Sequence, residues 1–179
     1  VKYFFPILII FSCDLDLKNQ DLKLLPSIKN KPFVNKFSNL KPEEINQAYS
    51  PKNNKLPIRY NNTQQIILGD SIKSVIDFSI DEKNNLDNEG YILQIQEEKI
   101  IIRAKDAAGL FYSFITLDQI IEDSKNNNTS LPIISINDFP LLKFRPIHLD
   151  IKHHTEKKSY YFDLIDYLAK LKINGIIVE

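Results

Sequence analysis

A chain of 179 residues with 23 Lys+Arg, 23 Asp+Glu, nine prolines, four glycines and one cysteine is long enough for one ordinary domain, or for one domain and part of a second. A formal net charge of zero excludes the clustered cationic footprint that nucleic acid demands. One cysteine excludes both an internal disulfide and a thiolate metal cage.

Residues 1–13 open the chain. Val1 to Ser12 reads VKYFFPILIIFS, one cation followed by an apolar run far shorter than the ~20 residues that cross ~30 Å of hydrocarbon. That is the make-up of a signal-peptide core. Ile10-Phe11-Ser12-Cys13 resembles the lipobox of bacterial lipoproteins, in which the cysteine becomes the acylated first residue of the mature protein. The resemblance implies lipidation at Cys13, a membrane partner through that acyl anchor, and a place outside the inner membrane, in the periplasm or at the outer membrane. The plainer alternative is a small buried cysteine. Residues 14–50 read as a polar tether and a poorly defined segment, in which Pro42-Glu43-Glu44 has the form of a first helical turn.

Residues 51–141 read as an α+β domain. Leu56–Tyr60 and Gln65–Leu68 are short apolar runs closed by turn residues, Ser74–Ile80 is β-branched and aromatic, and Gly90–Gln96 alternates Tyr91, Leu93 and Ile95 with Ile92, Gln94 and Gln96. With Lys99–Ala104 these runs predict an antiparallel hairpin or meander. At Asp106 the period changes: Leu110, Phe111, Phe114, Leu117, Ile120 and Ile121 recur at three and four, which predicts a helix over 107–122 capped by the Asp106 carboxylate. Pro132–Ile136 reads as a further strand, so the helix lies on one face of the sheet.

Residues 142–179 change rhythm again. Phe144–Asp150 is a strand candidate, Lys157–Lys172 a helix with Tyr161, Leu164, Ile165, Leu168 and Leu171 on one stripe, and Ile176–Val178 an apolar strand after Asn174-Gly175. A strand, a helix and a second apolar strand make a βαβ unit with a parallel pair. Alone, such a unit leaves apolar faces uncovered, so the chain is expected to stop inside a second domain.

Five ordered blocks carry a resemblance. They are Glu89-Gly-Tyr-Ile-Leu-Gln-Ile, Ile100-Ile-Ile-Arg-Ala, Asp106-Ala-Ala-Gly-Leu-Phe-Tyr-Ser-Phe-Ile-Thr-Leu, Leu131-Pro-Ile-Ile-Ser-Ile-Asn-Asp-Phe-Pro, and Phe144-Arg-Pro-Ile-His-Leu-Asp-Ile-Lys-His-His. Together they resemble glycoside hydrolase family 20, the β-N-acetylhexosaminidases. The resemblance implies an accessory α+β domain followed by the start of a truncated (β/α)8 TIM barrel. It implies sugar contacts by Arg145, at the start of the first barrel strand, and by Asp150 at its end; the plainer alternatives are a salt bridge from Arg145 to the preceding domain, and for Asp150 the orienting of Arg145 or a helix-capping or loop role. The substrate class is a terminal N-acetylhexosamine on a glycan, and no cofactor is implied. In that family the substrate's own acetamido group attacks the anomeric carbon, with retention, and an Asp-Glu pair at the end of the fourth barrel strand assists it. No residue of this chain matches that pair, since Asp81-Glu82 falls in a turn of the first domain, so this chain alone is expected to be inactive. It also departs from the family where Arg-Gly is Arg145-Pro146, where Arg-His is His153-His154, and where His-Trp-His is Ile177-Val178-Glu179.

Other readings stay open on the residues alone. His148, Asp150, His153 and His154 are near enough in sequence to raise a metal site, though a polar strand rim accounts for them with less; the expectation is no metal. Another barrel glycosidase with a similar front domain, of the α-glucuronidase or α-N-acetylglucosaminidase type, would share the Asp106-Ala-Ala-Gly helix start. A lipid-anchored remnant without catalysis is the third reading.

Overall fold

The computed structural model describes residues 22–28, 32, 34–48, 75–153 and 155–179. Cys13, His154 and the strands expected at 56–60 and 65–68 lie outside the described residues. Among the described residues no helix is long and apolar enough to cross a membrane.

The elements in chain order are α1 (Pro42–Ala48), β1 (Ile76–Ile80), β2 (Tyr91–Ile95), β3 (Ile100–Ala104), α2 (Ala107–Asn126), β4 (Ile134–Asp138), β5 (Pro146–Leu149), α3 (Lys158–Lys170) and β6 (Gly175–Val178). The first four strands form one sheet in the order β1-β3-β2-β4. β2 pairs antiparallel with both β3 and β4, as the alternation of Tyr91, Leu93 and Ile95 led us to expect. β1 corrects the antiparallel expectation. It lies parallel to β3, with Ile76 opposite Ile100 and Ile80 opposite Ala104, so the sheet is mixed. The reason is that β1 skips its neighbour in sequence and adds to the far side of the β2–β3 hairpin, and alternation in one strand carries no information about direction.

The core forms because the period-two face of the sheet meets the stripe of α2. Leu93, Ile100, Ile102, Ala104 and Ile136 are fully buried against Leu110, Leu117 and Ile120 of the helix. Complete burial of such side chains contributes roughly 1.5–3 kcal/mol each before chain entropy is charged against it. α2 runs four residues past the expected Glu122, because Asp123 and Ser124 are themselves buried and Asn127 donates its backbone N–H to the Asp123 carbonyl. Its start is as expected: the Asp106 carboxylate accepts from Gly109 N at 2.8 Å. Within residues 14–50, read as a tether and a poorly defined segment, Leu22, Leu24, Ile28, Val34, Leu40 and Ile45 join the core, and Ser38 and Leu40 bond to Leu131 beside β4.

β5 and β6 pair in parallel, Pro146 opposite Gly175 and Leu149 opposite Val178, with α3 between them in sequence. The expected βαβ unit is therefore present. Its faces are open: Phe162, Ile165, Ile177 and Val178 are exposed, and Leu168 is the buried residue of α3. α3 ends at Lys170, two residues early, in a Schellman closure in which Lys172 N bonds to Ala169 O and Ile173 N to Leu168 O.

α2 touches α3 through polar groups. Gln119 Nε2 donates to the Leu25 and Lys170 carbonyls at 2.7 and 3.2 Å. One turn of the same seam holds Asp118, whose burial lifts its carboxyl from 3.8 to about 7; Lys170 pulls it down and Glu122 pushes it up. A carboxyl raised on folding binds its proton more tightly in the native state, so its contribution to stability is complete below about 3.8 and is lost as pH rises through about 7. Asp118→Asn is therefore expected to match wild type near pH 4 and to be more stable at pH 8. Allowing for Lys170 and partial exposure, the gain is ~1–2 kcal/mol. Urea melts at the two pH values measure it, and an equal effect at both would contradict the assignment.

Candidate functional site

Two clusters of functional side chains flank β5, one at each end. At the carboxyl end, Asp150 follows the strand. Its Oδ1 accepts from Lys152 N at 2.8 Å and its Oδ2 lies 3.2 Å from His153 Nδ1, and these bonds, that from Lys152 first, hold the carboxyl below its ordinary value. His148 Nε2 lies 3.1 Å from Glu179 Oε2, and the parallel ladder continues beside them through Glu179 N to Leu149 O and Ile151 N to Glu179 O. All four side chains are well exposed, so solvent screens their pairing. Among the described residues no group of three His, Cys, Asp or Glu could hold a metal ion.

At the amino end, Arg145 enters the seam between the βαβ unit and the α+β domain. Its guanidinium makes four hydrogen bonds: Nε to Lys172 O, Nη1 to Leu142 O, and Nη2 to Glu89 Oε2 at 2.7 Å and to Tyr112 Oη at 3.0 Å. The guanidinium carbon also stands 5.3 Å from the centre of the Tyr112 ring. Arg145 and Glu89 are 16% and 22% exposed, so the pair is only weakly screened. β5 separates this cluster from Asp150. The two residues that the resemblance assigns to the sugar are thus placed at opposite ends of one strand.

Beside Arg145 sits a second cation. Lys172 Nζ donates to Tyr91 Oη at 2.9 Å and to Asp138 Oδ2 at 3.1 Å, and Tyr91 Oη also forms a hydrogen bond with Thr116 Oγ1 at 2.6 Å, in which either hydroxyl can donate. Burial lowers the Lys172 ammonium and raises the Tyr91 hydroxyl; Asp138 works against the first shift and adds to the second. Between the two cation groups lies a cavity of about 240 Å³, walled also by Phe139, Pro140, Leu141 and Leu142. No buried side-chain polar atom of the described residues lacks a partner.

Sequence reasoning missed Glu89, Tyr112, Asp138 and Lys172. Glu89 and Asp138 stand inside the quoted blocks, as the residues just before Gly90 and Phe139, where a charge beside an apolar strand is the available signal. Lys172 reads as the end of a solvated helix face, and nothing in its neighbours marks it as buried.

Residues 38–139, more than half of the chain, match Glycosyl hydrolase family 20, domain 2. The chain belongs to glycosyl hydrolase family 20. The domain-2 match ends before Arg145 and leaves β5, α3 and β6 outside it. Among curated relatives, the chain is 31% identical over 86 residues to the N,N'-diacetylchitobiase of Vibrio harveyi, an alignment that takes in 48% of this chain and 10% of that protein. Among solved structures, the β-N-acetylhexosaminidase of Bacteroides fragilis is 31% identical with a TM-score of 0.51, over 58% of this chain and 20% of that one. A family-20 β-N-acetylglucosaminidase at 20% identity shares the fold with a TM-score of 0.62, over 89% of this chain and 29% of its own. The chain therefore spans a small share, 10–29%, of the length of these proteins.

Proposed function

We propose that the chain is the N-terminal part of a retaining exo-β-N-acetylhexosaminidase that removes terminal N-acetylhexosamine from glycans. The observation that carries the reading is the family-20 domain followed directly by a parallel βαβ unit with uncovered apolar faces. In this reading β5 and β6 are the first two strands of a (β/α)8 barrel, further strands cover Phe162, Ile165, Ile177 and Val178, and the reacting Asp-Glu pair lies beyond Glu179. This chain alone then hydrolyses nothing. Cys13, outside the described residues, carries the acyl anchor that holds the protein to a bacterial envelope membrane, and no cofactor takes part.

Barrel enzymes hold their sites at the carboxyl ends of the strands. Asp150 stands at that end of β5, with its carboxylate kept ionised by Lys152 N and His153, and the reading gives it a contact with sugar hydroxyls. Arg145 commits four of its five N–H donors in the seam, to Glu89, Tyr112 and the Leu142 and Lys172 carbonyls, and the reading keeps its sugar contact for the fifth, on Nη1.

Chromogenic β-N-acetylglucosaminide and glucuronide substrates, offered to the longest form of the protein, test the proposal. Hydrolysis of the first alone is the expected result, and cleavage of the glucuronide instead would favour another barrel glycosidase. Asp150→Ala is expected to lower kcat/KM roughly tenfold, the loss of ~1.4 kcal/mol in the transition state. An unchanged kcat/KM would remove Asp150 from the sugar site.

A further inference from the structure

Three described residues other than glycine have left-handed backbones: Glu89 at φ 60°, Asn128 at φ 53° and Lys172 at φ 57°. Asparagine tolerates that region, whereas for glutamate and lysine it is disfavoured by contact between Cβ and the carbonyl oxygen. Glu89 precedes Gly90 in a tight turn, and Lys172 occupies the closing position of a Schellman motif; at both places glycine is the residue that the backbone prefers.

Both side chains do something that glycine could not. Glu89 Oε2 accepts from Arg145 Nη2, and Lys172 Nζ donates to Asp138 Oδ2 and Tyr91 Oη. The two bridges run in the same sense across one seam: Glu89 and Asp138, anions of the α+β domain, hold Arg145 ahead of β5 and Lys172 behind α3, cations of the βαβ unit. The bridges are also joined, since Arg145 Nε donates to the Lys172 carbonyl, which the left-handed backbone of that residue presents. On the other side Asp106 fixes Glu89, accepting its backbone N–H at 2.8 Å while capping α2. Residues kept in sparsely populated backbone regions persist where their surroundings over-determine them, and such places concentrate at switches and functional clamps.

We infer that Glu89 and Lys172 are positioning residues, kept against backbone preference because their paired bridges to Arg145 and Asp138 set how β5 and β6 stand on the α+β domain. The end of β5 that carries Asp150 is aimed by this clamp. That last consequence rests on the barrel reading above, while the clamp does not.

Amide hydrogen exchange of the full chain tests it, with Glu89→Gly, Lys172→Gly and the milder Glu89→Gln. The glycine variants relieve the backbone and delete the bridge, so a purely local role predicts equal or slower exchange throughout. The clamp predicts exchange in β5 and β6 faster by about tenfold or more, with β2 and β3 unchanged, and near-native exchange in Lys172→Arg. Equal acceleration in every strand, or none in β5 and β6, would overturn the inference. Should a glycine variant fail to fold, Glu89→Gln gives the same contrast between strands. In the longer protein the same variants are expected to lower kcat more than they raise KM. A wild-type protein without hexosaminidase activity would sink the glycosidase reading and leave the exchange result intact.

Discussion

Truncating Asp138 to alanine is expected to cost about 3–5 kcal/mol of folding stability, because it leaves a buried ammonium with no anion to answer it. Lys172 and Asp138 are 9% and 13% exposed at their side chains, and Nζ would keep Tyr91 Oη as its other recorded acceptor. A neutral hydroxyl does not offset the desolvation of a full charge. The companion result distinguishes the pair from its parts. Asp138→Ala combined with Lys172→Met removes both charges, and replacing a whole buried pair by apolar groups is often close to neutral. The double variant should therefore recover most of the loss, and denaturant titration of the two single variants and the double reads the coupling directly. Additive losses would mean that the two residues do not act on each other.

Gly109→Val is expected to be nearly as damaging, for a steric reason. A Cβ placed on Gly109 would stand 2.4 Å from the Gly90 carbonyl oxygen and 3.0 Å from the Glu89 carbonyl carbon, both backbone atoms that no rotamer change can move. The first turn of α2 would have to retreat from the turn before β2. With it go the bonds that the Asp106 carboxylate accepts from Gly109 N and Glu89 N. Overpacking of this kind costs typically 1–3 kcal/mol, and the lost cap adds ~1 kcal/mol. Gly109→Ala carries the same clash with one carbon and should fall only a little short of valine, whereas Ala108→Val, at the edge of the core, should be far milder. Thermal melts rank the three. The Asp106-Ala-Ala-Gly block thus has a physical content: the aspartate caps the helix and ties the neighbouring turn, and the glycine lets the two backbones touch.

The parts of the fold that were legible are those in which burial repeats along the chain. Tyr91, Leu93 and Ile95 bury one face of β2, and Leu110, Phe114 and Leu117 bury one stripe of α2, so period alone located both elements. β1 was harder because its neighbours are set by a partner 24 positions away, Ile76 against Ile100, and four of its five residues are only half-buried. The ends of the helices moved for local reasons, the buried Asp123 and Ser124 in α2 and the left-handed Lys172 after α3. The places of Arg145 and Asp150 at the two ends of β5 were legible in the sequence, but the engagement of Arg145 by Glu89 and Tyr112 depends on packing across the seam. Charged residues that end up buried, such as Lys172, look on paper like any solvated lysine.

The parallel placement of β1 bears on the order in which this domain assembles. β2 and β3 meet across a turn of four residues, Gln96 N bonding to Lys99 O, a closure that a chain makes early and at little entropic expense. β1 has nothing to add to until β3 is in place, and it must then reach past β2 to the outer edge. Non-local pairing of this sort slows the search. The hairpin therefore serves as the template of the domain, and β1 is its late arrival.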